Sequence, residues 1–203
     1  VLYLVQSSDN PTFFEPIVDA YVYNDAALAL ASGHLPTTNL FWQPIFYPCF
    51  LAGFYSVFGT ELWLARLFQA VLGSITCVLL FWAGRLACSR RVGLLAGLML
   101  AFCGPVVFFE TEPLAEGWAL FWVTALMVIF ILLRRHDSPG LWLAAGFLSS
   151  LAMLTRPPLL PFCALAAGWV LFPLARRSGF QNAAIRLSIM AMAFAIPAYT
   201  AGY

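Results

Sequence analysis

The residues of this chain whose types suit chemistry fall in three short stretches. VDAYVYNDAALALASG, Val18 to Gly33, carries Asp19 and Asp25 with Tyr21 and Tyr23. FFETEPLAEG, 108–117, carries Glu110, Glu112 and Glu116, and LTRPP, 154–158, carries Arg156. A carboxylate can take the proton of an attacking hydroxyl as a general base. An arginine can hold a phosphate through paired donors and stabilise charge on a leaving group. Carboxylates beside an arginine therefore suit transfer of a group from a phosphate carrier to a hydroxyl, if the fold brings them together.

The setting of these groups is a membrane. Hydrophobic residues make up 63% of the chain, charged ones 9%, and the mean hydropathy is +0.88. Soluble domains carry about a quarter charged residues, so composition excludes a soluble domain with a single anchor. There is no lysine: all ten basic residues are arginines. Long apolar runs recur throughout, and the expected fold is all-α, a polytopic transmembrane helical bundle. Residues 1–203 read as one transmembrane domain. The chain begins at Val1 and its last apolar run reaches Tyr203, so it reads as a piece of a longer protein, truncated at both ends. Ionisable groups near a bilayer are costly, which makes the few present markers of function.

Roughly 20 apolar residues cross a bilayer as a helix. Residues 1–6 read as the last turn of a first span. Leu62–Gly84, Val92–Phe109 and Pro113–Leu133 read as full spans, followed by shorter runs at 141–154 and 157–175 that Arg156 and two prolines divide. A last run starts near Ala183. Ile45–Phe58 is apolar but short and ringed by Pro44, Pro48 and Gly59, which predicts a helix lying at the interface. Residues 7–61 then form a first extracytoplasmic loop with two juxtamembrane helices, Asp19 starting the first and Gly33 closing it. A loop of that length is functional or disordered, and this one is too aromatic for disorder.

Sidedness follows from charge. With 45–58 not crossing, the connections 85–91, 134–140 and 176–182 share one side. With Arg186 they hold Arg85, Arg90, Arg91, Arg134, Arg135, Arg176 and Arg177. The positive-inside rule makes that side cytoplasmic. Asp9, Glu15, Asp19, Asp25, Glu61, Glu110, Glu112 and Glu116 fall on the other, and Asp137 is the exception. A cell membrane of bacterial inner-membrane type, with an extracytoplasmic site, is expected.

Each residue also has a plainer reading. Asp19 could be a helix N-cap, Asp25 a solvated residue, and Glu110 and Glu116 loop charges. Arg156 could cap the preceding helix through its dipole. Tyr21, Tyr23, Phe41, Trp42 and Trp63 fit an interfacial aromatic belt. The five cysteines show no metal spacing, and His34 and His136 stand apart, so no metal site is expected. Nor does the sequence require a cofactor, although two or three carboxylates could hold a divalent cation with water.

The pieces run in a telling order: Asp19-x-x-x-Tyr23 with Gly33, Pro44-Ile45-Phe46-Tyr47-Pro48 to Phe58-Gly59, Arg66, Glu112-Pro113, and Leu154-Thr155-Arg156-Pro157. This order resembles the GT-C class of membrane glycosyltransferases, in its protein mannosyltransferase and aminoarabinose-transferase-like group. The resemblance implies transfer of a sugar from a polyprenyl-phosphate carrier to an acceptor hydroxyl of a lipid, glycan or protein at the outer face. It makes Asp19 and Glu112 the catalytic carboxylates and sets Arg156 and Arg66 against the phosphate. Tyr23, Tyr47 and Glu110 complete the expected substrate-binding residues. Ala20 follows Asp19 where the family carries a charged neighbour, so sugar and acceptor stay open. The expected partners are the donor, the acceptor and the bilayer, with no nucleic acid. The rival is a polytopic transporter or lipid flippase, since paired short, proline-broken runs also occur at transporter midplane sites. A non-catalytic scaffold is the third reading, and in it Asp19, Tyr23, Glu112 and Arg156 do not meet.

Overall fold

A computed structural model of the chain describes residues 4–5, 13, 17–34 and 44–200. Within them the order is α1 (Asp19–Ala31), α2 (Phe46–Phe58), α3 (Leu62–Ala87), α4 (Arg90–Ala101), α5 (Gly104–Thr111), α6 (Glu116–Arg135), α7 (Pro139–Thr155), a 3₁₀ turn at Pro157–Leu159, α8 (Leu160–Ser178) and α9 (Phe180–Thr200). The described residues form no strand, and the protein is an all-α, multi-pass membrane protein. Of the expected first span, only Leu4 and Val5 are described, and both are helical. Asp9, Glu15, Phe41 and Trp42 lie outside the described residues.

Four helices are long and apolar enough to cross a membrane: α3, α6, the 3₁₀ turn with α8, and α9. Their outward faces are apolar, with Leu165, Phe172, Met192 and Ile196 all exposed, as lipid contact requires. The short helix α2 matches its predicted bounds within a residue and ends at Gly59, whose φ of +83° a residue with a Cβ would resist. Gly33, at φ +77°, closes α1 in the same way.

Two expectations need correction. Val92–Phe109 is not one straight span: α4 and α5 meet at a 60° bend. Pro105 has no N–H to give the carbonyl of Ala101, and its ring would collide with it, so the helix stops and restarts at Gly104. The bent pair still crosses the bundle. Arg90 follows the end of α3, whereas the Thr111 carbonyl accepts from Arg66 in the second turn of α3. The second correction concerns 108–117. Glu110 lies in the last turn of α5 and Glu116 opens α6, so neither is a loop charge, and the connection is 112–115 where the expected spans left 110–112.

Close backbone approaches hold the bundle. A Cβ on Gly146 of α7 would lie 2.1 Å from the Met190 carbonyl oxygen of α9, so these helices touch main chain to main chain. The amphipathic α2 is held from the side by aromatics. Phe50 lies 4.7 Å from Trp118 and 5.4 Å from Phe68, while Phe46 lies 5.2 Å from Trp118 and 5.6 Å from Trp122, mostly edge to face. The arrangement has two polar ends. Arg135 donates to the Leu86 carbonyl, and Arg186 pairs with Asp137 at 3.0 Å, so the arginine-rich connections meet. The other end collects Arg66, Glu112, Glu116 and Arg156.

Candidate functional site

The site is built from α1 and α2 lying on the acidic ends of α3, α6 and α7. Asp19 is the first residue of α1 and not its cap, which is Val18, whose side chain offers no acceptor. Val18 has φ of +53°, a conformation β-branched residues rarely take, so the turn leading into Asp19 is strained. Asp19 is exposed, whereas Tyr23, one turn on, is buried. Asp25, expected to be solvated, is half-buried.

Tyr23 is the meeting point. Burial pushes its phenol above the usual tyrosine range, the Arg156 guanidinium pulls it down, and the charges of Glu116 and Asp19 push it up. Those three groups on α1, α6 and the end of α7 therefore share its electrostatic surroundings. The ring stands edge-on to Tyr47 of α2 at 5.1 Å. Tyr47 is fully buried, and desolvation raises its phenol well above the usual range. Both hydroxyls are neutral donors at ordinary pH.

Tyr47 donates to Gln69 Oε1 at 2.9 Å, and Gln69 Nε2 donates to the carbonyls of Glu112 and Leu114, each at 3.1 Å. One amide thus ties α2 to the 112–114 connection. Three residues earlier on the same face of α3, Arg66 places Nη1 3.1 Å from Glu112 Oε2 and donates to the Thr111 carbonyl at 2.8 Å. The guanidinium also covers the Phe13 ring at 4.4 Å. Arg66 is 1% exposed. Expected against a phosphate, it is enclosed: Nη1 pairs with Glu112, while Nε and Nη2 are buried with no hydrogen-bond partner among the described residues.

Arg156 differs. It terminates α7, where Pro157 prevents the helix from continuing, and its Nη2 pairs with Glu116 Oε1. Both side chains are about a third exposed, at 38% and 33%. Beneath them Trp122 donates to Thr155 Oγ1 at 3.0 Å, which fixes the α7 terminus against α6. Glu110 lies behind this site, 9% exposed, with its carboxylate in the gap left by Gly73.

The structure thus brings Asp19, Tyr23, Tyr47, Arg156, Glu112 and Arg66 into one connected region, with Glu110 on its far wall. Sequence reading missed Gln69 and the Trp118–Trp122 wall, and named Glu116 without placing it among the site residues. Gln69 was discoverable as an uncharged polar residue inside an apolar span, three residues from Arg66. Glu116 was visible only as an acid, since its partner lies 40 residues away.

A family model described as dolichyl-phosphate-mannose-protein mannosyltransferase matches residues 42–200. That range holds Tyr47, Arg66, Glu110, Glu112, Glu116 and Arg156, and Asp19 and Tyr23 precede it. Neither a curated protein nor a solved structure matches the chain.

Proposed function

The chain belongs to the dolichyl-phosphate-mannose-protein mannosyltransferase family, and from that premise we propose that it moves a sugar from a polyprenyl-phosphate carrier to an acceptor hydroxyl at the extracytoplasmic face. Membership makes it a membrane glycosyltransferase; donor, acceptor and face are our reading. The observation that carries it is the Arg156–Glu116 pair, about a third exposed, whose charges act on Tyr23, with Asp19 one helical turn from that tyrosine.

In this reading the exposed carboxylate of Asp19 takes the acceptor hydroxyl proton as the oxygen attacks the anomeric carbon. The bond from that carbon to the phosphate oxygen breaks, and polyprenyl phosphate leaves with the electron pair. Arg156 turns from Glu116 to the phosphate and carries the developing charge. Glu112, fixed by Arg66, is the second acid and orients the hydroxyl-bearing substrate. Tyr23 and Tyr47, both neutral, supply donors and shape to the same region. Glu110 acts through packing behind it.

The test is sugar transfer by the full-length protein in liposomes supplied with polyprenyl-phosphate sugar. Asp19→Asn is expected to lower turnover at least a hundredfold with unchanged folding, the usual reach of a general base. A folded Asp19→Asn protein that works at the wild-type rate removes Asp19 from the chemistry. Carrier movement across the vesicle without sugar transfer favours the flippase reading.

A further inference from the structure

A second polar feature lies at the opposite end, where α6 and α8 finish. Arg134 and Arg135 of α6, Arg177 of α8, Asp137 and Pro173 line a cavity of about 260 Å³. The acid does not neutralise these arginines. Asp137 is held by Arg186 at 3.0 Å and accepts from Trp142 Nε1 at 2.9 Å. No carboxylate pairs with Arg134, Arg135 or Arg177 among the described residues.

This basic cavity shares two lining residues with an apolar groove. Arg134 and Pro173 also line a shallow groove of about 660 Å³ along α8, floored by Leu165, Gly168, Trp169 and Phe172. Leu165 is 77% exposed, Trp169 52% and Phe172 62%. Arg134 joins the two parts: its guanidinium lies 4.7 Å over Trp169 and donates to the Trp169 carbonyl at 3.4 Å. Arg176 stacks on Phe172 at 4.2 Å, so the rim of the groove is basic as well. Arginines at helix C-termini are favourable through the dipole alone. That accounts for their positions, but not for a charged cavity that shares Arg134 and Pro173 with an apolar groove.

We propose that this is a binding site for an anionic phospholipid, its phosphate among Arg134, Arg135 and Arg177 and one acyl chain along α8 over Trp169. Charge complementarity selects the occupant. A zwitterionic lipid brings its own cation into a cavity that already holds three, and a bare apolar segment leaves them unpaired. The cavity lies at the opposite end from Asp19 and Arg156, so the proposal is independent of the transfer reaction.

Native mass spectrometry of the full-length protein, released from nanodiscs of mixed phosphatidylglycerol and phosphatidylcholine, tests this directly. The wild type is expected to retain phosphatidylglycerol preferentially. Arg134→Gln with Arg177→Gln should weaken that preference about fivefold for each arginine removed. Arg90→Gln with Arg91→Gln, exposed at the same end but outside the cavity, should leave it intact. Equal retention of the two lipids by the wild type overturns the proposal. So does an equal loss in the Arg90/Arg91 control, which reports only a general field, or a second copy carried in place of lipid. If the double variant fails to fold, Arg177→Gln alone reads the same preference. Phosphatidylglycerol with brominated chains reports on the groove: it should quench the protein's tryptophan fluorescence, less so in Trp169→Phe. Unchanged quenching in that variant removes the acyl chain from α8.

Discussion

Two arginine–carboxylate pairs stand at the same end of the bundle and are built in opposite ways. Arg66–Glu112 is closed on the arginine side, at 1% exposure, with a backbone carbonyl and an aromatic ring beside it and Nε and Nη2 unpartnered among the described residues. Arg156–Glu116 is about a third exposed on both sides, and among the described residues no further hydrogen bond holds the guanidinium. Desolvation separates them. A guanidinium already removed from water cannot lose its carboxylate cheaply, whereas a half-wet one can trade a carboxylate for a phosphate at little cost. The first pair suits a fixture that sets Glu112. The second suits a contact that changes partner during turnover.

The largest expected effect comes from breaking the closed pair. Arg66→Ala empties the space of an enclosed side chain and removes the donor to the Thr111 carbonyl and Glu112, and truncating a buried side chain to alanine costs about 2–5 kcal/mol. Thermal unfolding in detergent should show this, while Arg156→Ala should change the melting temperature little. Equal losses in the two variants would erase the distinction.

Next is the wall behind the pairs. An added methyl on Gly73 would lie 2.0 Å from Glu110 Oε2, so Gly73→Ala must push Glu110 or part α3 from α5. Overpacking of this kind costs about 1–3 kcal/mol. Glu110→Ala in the same background should restore most of that stability, because it empties the space the methyl needs. Failure of the rescue would mean that the strain lies between the helix backbones.

These contrasts were only partly legible in the sequence. Leu62–Gly84 and Ile45–Phe58 were readable because long and short apolar runs differ in whether they can cover a bilayer. The bend at Gly104 was not, since hydropathy runs smoothly through a proline that removes one helical hydrogen bond. Asp19, Tyr23 and Arg156 stood out as polar residues placed where charge is costly. Their relation to Glu116 did not, because it depends on how α6 packs against α7. Arg66 shows the sharper limit. Its type and place near the end of a span suited phosphate binding, and its burial against Phe13, Thr111 and Glu112 was not readable from either.

The open pair should answer in kinetics. Arg156→Gln is expected to lower kcat/KM for the polyprenyl-phosphate donor about tenfold or more, the scale of one charge-assisted hydrogen bond to phosphate. Stability should stay within about 1 kcal/mol of wild type, as for other exposed pairs. Arg156→Lys should recover only part of the rate, since a point charge lacks the paired donors.

The smallest effect is the most discriminating. If Glu116 is the resting partner that the donor phosphate displaces, Glu116→Gln removes a competitor. The cost of parting an exposed pair is about 0.2–1 kcal/mol, so the variant should bind donor more tightly by up to about fivefold. Donor KM should then fall in Glu116→Gln and rise in Arg156→Gln, although both substitutions break the same contact. A purely structural pair predicts the same direction for both, because either change then loosens the join between α6 and the end of α7. Glu112→Gln supplies the counterpart: its partner is enclosed, so removing that carboxylate exposes no phosphate-binding cation and should not lower donor KM. Opposite signs at the open pair, with no gain at the closed one, would separate exchange from support by measurement.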